Sequence, residues 1–113
     1  MPFEFATASR VVFGPGVLRE FQPNQFGRRA LVVAGRSASR IAPLLEILKR
    51  TGIAFTHYPI TGEPTLDLVS RGVEEARKTE SEFVVGFGGG SAIDAGKAIA
   101  ALVNNPGDLF EYL

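Results

Sequence analysis

Phe83-Val84-Val85-Gly86-Phe87-Gly88-Gly89-Gly90-Ser91-Ala92-Ile93-Asp94-Ala95-Gly96-Lys97 is the stretch that decides the fold. Phe83 to Phe87 is apolar and strand-forming, and reads as a buried strand. Gly88, Gly89 and Gly90 follow at once. Glycines have no side chain to hold a ligand away and reach backbone angles closed to other residues. Ser91 is placed to cap a helix running to Val103. The first N–H groups of such a helix lack partners and attract anions, phosphate above all. Strand, glycine turn and helix together read as a cradle for a pyrophosphate. The plainer reading is a tight turn with no ligand.

Two common phosphate motifs are excluded. A P-loop needs glycine, four residues, then Gly-Lys-Ser/Thr. Gly96-Lys97 is present, but Ser91 stands where the first glycine belongs and Ala98 follows the lysine. The G-x-G-x-x-G fingerprint fails too, since from Gly86 and Gly88 its third glycine falls on Ser91.

Outward from this stretch the chain alternates strands and helices. Ala30 to Ala34 is a strand, followed by the turn Gly35-Arg36-Ser37. Ile41 to Arg50 is a helix with Ile41, Leu44, Leu45 and Leu48 on one face. Pro43 fits because it lies in the first turns, and Gly52 is a stop. Ile53 to Tyr58 is a strand, Gly62-Glu63-Pro64 a loop, and Thr65 an N-cap. Leu66, Val69, Val73 and Ala76 form the stripe of the next helix. In the last helix Ala92, Ile93, Gly96, Ile99, Ala100 and Val103 make a face of mostly small residues, suited to lying close on a sheet. Phe3 to Thr7 and Arg10 to Phe13 read as an N-terminal hairpin closed by Gly14-Pro15-Gly16, with a short helical turn from Val17 to Phe21.

This rhythm calls for parallel strands joined by crossover helices. The fold class is α/β: a Rossmann-like parallel sheet with flanking helices and an N-terminal β-hairpin. Ligands of such sheets bind beyond the carboxyl ends of the strands. Gly35-Arg36-Ser37, Gly62-Glu63 and Gly88-Gly89-Gly90-Ser91 all fall there.

Composition narrows the function classes. A chain of 113 residues is one domain or part of one. Twelve basic and twelve acidic residues cancel, which argues against nucleic acid or an anionic membrane as main partner. Without cysteine there is neither a disulfide framework nor a thiolate metal site. No apolar run approaches the roughly 20 residues of a membrane span. Met1-Pro2-Phe3-Glu4 lacks the start of a signal peptide, so a cytoplasmic setting is expected.

The run Gly88-Gly89-Gly90-Ser91-x-x-Asp94-x-x-Lys97 closely resembles that of the iron-containing (group III) alcohol dehydrogenases. Phe13-Gly14-Pro15-Gly16, Arg29-Ala30-Leu31-Val32-Val33, Gly62-Glu63-Pro64-Thr65 and Asn104-Asn105-Pro106-Gly107-Asp108 are similar to that family in order and spacing. Glycerol dehydrogenases and dehydroquinate synthases have related loops, but Ser91 and the Asn-Asn-Pro run favour the alcohol dehydrogenase branch.

The resemblance implies an N-terminal NAD(P)-binding domain, partial over residues 1–113. In the family, the residue equivalent to Asp94 faces the nicotinamide and substrate side of the cleft, which makes Asp94 the one candidate for a catalytic role. A capping role beside Ser91 accounts for it equally well. Lys97 lies on the same helix face and either pairs with Asp94 or is a solvated lysine. The family often has Asp where this chain has Gly35; an acid there binds ribose hydroxyls and repels a 2′-phosphate. Here Arg36, Ser37 and Arg40 follow instead, and arginine suits phosphate. The expected cofactor is therefore NADP in preference to NAD, the alternative being that Arg36 is merely exposed. Glu63 replaces a common family Asn near the cofactor; it can accept from a ribose hydroxyl but cannot donate. His57, the only histidine, reads as a structural hydrogen-bonded residue.

The family's iron sits on one Asp and three His of a later helical domain, which this sequence lacks, as it lacks the family's later Thr-rich nucleotide loop. No metal site is expected within the chain, although Fe or Zn belongs to the full-length family. The chain thus reads as a fragment, a truncated reading frame or half of a split enzyme, with a C-terminal half or a second copy as partner. The leading function is the dinucleotide-binding part of an NAD(P)-dependent, metal-dependent alcohol dehydrogenase acting on a small alcohol or aldehyde. The alternatives are a stand-alone nucleotide- or phosphate-binding module and a dehydroquinate synthase- or glycerol dehydrogenase-like relative.

Overall fold

The computed structural model describes residues 27–104. Three strands and three helices alternate: β1 (Arg29–Ala34), α1 (Ala38–Arg50), β2 (Ala54–Pro59), α2 (Leu66–Lys78), β3 (Phe83–Phe87) and α3 (Gly90–Asn104). The expected hairpin and the turns up to Phe21 lie outside the described residues.

β1 is the middle strand. It pairs in parallel with β2, from Arg29 opposite Ala54 to Ala34 opposite Pro59. On its other side it pairs in parallel with β3, from Ala30 opposite Phe83 to Ala34 opposite Phe87. The order β2-β1-β3 means that the chain leaves β1 in one direction and returns past it to the other side.

Side chains alternate across the sheet and build two cores. Ala30, Val32, Ala34, Phe83, Val85 and Phe87 face α1, meeting Ile41, Leu44 and Leu48. Leu31, Val33 and Val84 face the other way, onto Val69, Val73 and Ala76 of α2 and Ala95, Ala98 and Ile99 of α3. Both faces being covered, β3 and all of β1 after Arg29 are apolar, as parallel strands usually are.

Helix boundaries follow local chemistry. Ser37 caps α1, its hydroxyl accepting from the Arg40 N–H at 3.4 Å, so the helix begins three residues before the expected Ile41. Gly52, at φ 78°, ends it: Ile53 N–H donates to the Leu48 carbonyl at 2.8 Å. Thr65 caps α2 as expected, accepting from Leu68 N–H at 3.1 Å. Leu66 does not join the α2 stripe; it is exposed, and Gly72 takes a place there instead. Leu45 is only partly buried, and the buried face of α3 is wider than expected, adding Ala95, Ala98 and Leu102.

Candidate functional site

The carboxyl ends of β1 and β3 lie side by side, and the loops that follow them diverge to opposite faces of the sheet. Such a divergence opens a crevice. A cavity of about 500 Å³ occupies it. From the β1 side come Gly35, Arg36 and Ser37, with Arg40 and Ile41 from the first turn of α1. From the β3 side come Phe87, Gly88 and Gly89, and Ala34 completes the lining. Its charged side chains are two arginines, and no carboxylate lines it.

The glycine turn is shaped for close approach. Gly88 has φ 118°, a conformation that L side chains rarely adopt. At Gly89 and Gly90 a Cβ would meet no protein atom within 4 Å. Side chains are thus absent where the fold has room for them, and the main chain is left open to the cavity.

The start of α3 differs from the expectation. Ile93 N–H donates to the Gly89 carbonyl at 3.1 Å, so the first turn closes on Gly89, and Ser91 lies inside the helix rather than at its cap. The cap is therefore a residue without a side chain. The first N–H groups of α3 have no partner within the helix and no cap hydroxyl bridging them. Asp94 falls beyond the first turn, which holds no acidic residue, so it is not the second half of a capping box. The amino ends of α1 and α3 both border the cavity, and each brings partial positive charge to it.

Of the residues singled out from sequence, Gly35, Arg36, Ser37, Gly88 and Gly89 meet around one cavity. Gly90 and Ser91 continue from it as the first residues of α3. Asp94 and Lys97 are exposed further along that helix, and neither lines the cavity. Glu63 is exposed in the loop after β2 and does not line it either. His57 is half-buried on β2, with its ring Nε2 3.1 Å from the Gly35 carbonyl. Ala34, Ile41 and Phe87 carried no functional signal in the sequence; they line the cavity because they end a strand or begin a helix beside it.

The family model described as iron-containing alcohol dehydrogenase matches residues 8–113. The chain belongs to that family. It is 32% identical over 119 residues to sulfoacetaldehyde reductase of Bilophila wadsworthia, a match covering 99% of this chain and 31% of the relative. It is 33% identical over 123 residues to NADH-dependent butanol dehydrogenase A of Clostridium acetobutylicum, covering 100% of this chain and again 31% of the relative. A crystal structure of an iron-containing alcohol dehydrogenase superimposes with a TM-score of 0.71 at 33% identity, covering 91% of this chain and 31% of that one. The chain thus spans less than a third of the length of these relatives and corresponds to the N-terminal part of the family. Among the described residues no three His, Cys, Asp or Glu side chains group so as to hold a metal ion. These residues do not fit the iron of the family's name.

Proposed function

We propose that the chain, over residues 1–113, is the N-terminal dinucleotide-binding part of an NAD(P)-dependent, metal-dependent alcohol dehydrogenase. The reaction is hydride transfer between a small alcohol or aldehyde and a nicotinamide. When bound, the dinucleotide supplies the hydride acceptor or donor. The observation that carries this reading is the meeting of the glycine turn with two arginines around one cavity.

The residues divide the work along the ligand. The backbone N–H groups of Gly89, Gly90 and Ser91 hold the pyrophosphate at the amino end of α3. Gly35 leaves space beside the adenosine ribose, where a Cβ would have nothing within 4 Å. Arg36, with Arg40 behind it, meets a 2′-phosphate, so NADP is the preferred cofactor. Ser37 fixes the start of α1 beneath them. Asp94 and Lys97, further along α3, belong to the nicotinamide side, and Glu63 can accept from a ribose hydroxyl. The Clostridium acetobutylicum relative is named for NADH and one from Clostridium saccharobutylicum for NADPH, so the relatives' names do not decide and the preference for NADP rests on the arginines. A cytoplasmic setting goes with this reading; among the described residues no helix is long and apolar enough to cross a membrane.

Fluorescence titration of NADPH into the wild-type chain and Gly89→Val tests it. The new side chain meets no protein atom at its Cβ and enters the cavity. Binding should be lost while the unfolding midpoint moves by no more than a few degrees. Unchanged affinity would place the cradle elsewhere.

A further inference from the structure

His57 is the residue that the cofactor reading leaves without a role. It stands opposite Val32 in the β1–β2 ladder. Phe55, two residues before it, packs into the core on the α1 side. Alternation along the strand puts His57 on that side as well.

The main-chain ladder ends just above it. Ile60 N–H donates to the Ala34 carbonyl at 2.8 Å, and Pro59, opposite Ala34, has no N–H to give. The next carbonyl, Gly35, lies past the end of the sheet, and its partner is the His57 side chain at 3.1 Å. A carbonyl can only accept, so the imidazole donates and carries its hydrogen on Nε2. The bond crosses from one strand to the loop of another, and that loop runs directly into Arg36 and the cap residue Ser37.

Gly35 is exposed, and its carbonyl could bond water instead. A glycine left without a partner has many backbone states open to it. Ordering such a loop on binding costs affinity, and holding it beforehand lowers that cost. The contact is therefore of most use when something must be met by the residue that follows.

We propose that His57 is a positioning residue for the dinucleotide: its Nε2–H holds the Gly35 carbonyl, and so holds Arg36 where a ribose 2′-phosphate arrives. This rests on the cofactor reading above. His57 does not touch the ligand; it acts through the loop, and the loss on its removal falls on the ligand that carries the 2′-phosphate.

Calorimetric titration of NADP and NAD into the wild-type chain, His57→Ala, His57→Leu and His57→Gln tests it. A neutral hydrogen bond corresponds to about two- to tenfold in affinity. The Ala and Leu variants should lose about three- to tenfold for NADP and under about twofold for NAD, and Gln, whose amide can donate, should recover NADP binding. If the wild type prefers NADP and the Ala and Leu variants keep the same NADP-to-NAD ratio, this inference is overturned while the cofactor reading stands. A wild-type chain that binds both dinucleotides equally overturns this inference together with the NADP preference, and no dinucleotide binding at all overturns the cofactor reading itself. A further measurement needs no variant: nitrogen-15 spectra of the wild-type chain should place the ring proton on Nε2, and a proton confined to Nδ1 would refute the contact.

Discussion

Cofactor choice is where one charge should change the outcome most. Arg36 and Arg40 line the cavity together, and no carboxylate opposes them. A charge-assisted hydrogen bond is worth about 1.5–3 kcal/mol, and Arg36 is exposed, so the lower figure applies. Arg36→Ala should then weaken NADP about tenfold and leave NAD nearly unchanged. Arg40 remains, so a residual preference should persist until both are removed. Gly35→Asp acts in the opposite sense. A Cβ there meets nothing within 4 Å and the backbone is not in the left-handed region, so aspartate enters without strain. Its carboxylate against a doubly charged phosphate at ~5 Å in water costs about 1.5–2 kcal/mol, again about tenfold, while it offers NAD a ribose acceptor. Both effects should shrink between low and high salt, since a Debye length of ~10 Å at 0.1 M screens an exposed pair. The assay is calorimetric titration of both dinucleotides at two ionic strengths. If Arg36→Ala weakens NAD and NADP alike, or the wild type does not distinguish them, Arg36 is a surface residue and the reasoning fails.

Two further predictions concern stability. Glu80 sits at φ 56° after α2, where Ser81 N–H closes onto the Ala76 carbonyl at 2.8 Å; Glu80→Gly should stabilise the chain by about 0.5–1 kcal/mol, and a lower urea midpoint would refute it. Burial raises the Tyr58 pKa above its ordinary value of 10.0, with Arg71 opposing and Asp67 and Glu75 adding to the rise. The folded chain therefore holds this proton more tightly than the unfolded one: the stability is fully present below pH ~10 and is lost as pH rises through the higher folded value. Denaturant titrations from pH 8 to 11 should show that fall, and Tyr58→Phe should flatten it while losing about 1 kcal/mol at neutral pH with the bond to the Leu68 carbonyl, which is 2.6 Å long.

The elements most legible in the sequence are those whose signal is local. Thr65 and Gly52 announce a helix start and stop by residue type alone, and both hold. Glu80 occupies the same kind of stop as Gly52 with no glycine to mark it, because the Ser81 bond and the Arg29 guanidinium on its carbonyl hold the strained turn from outside. Gly72 is similar. Its α2 backbone lies so close to α3 and β2 that an added Cβ would collide with Ile99 and approach Tyr58 to 3.1 Å, a packing fact with no local sign. The start of α3 departs from residue preference for a related reason: serine is the better cap in isolation, yet the strand delivers the chain so that Gly89 takes that place.

The site itself depended on one thing that residue patterns do not carry, the order of the strands. Three loops fall at the carboxyl edge, and the crossover rule leaves open which two are neighbours in space. With β1 in the middle, the loop after β1 lies next to each of the other two, but the loops after β2 and β3 are kept apart by the width of β1. This is why Arg36 shares a cavity with Gly88 and Gly89 while Glu63, as prominent in the sequence, does not. It also explains how His57 enters the argument. As a β2 residue beside β1, it reaches the middle loop and no further, so its influence on a ligand at the glycine turn has to pass through Gly35.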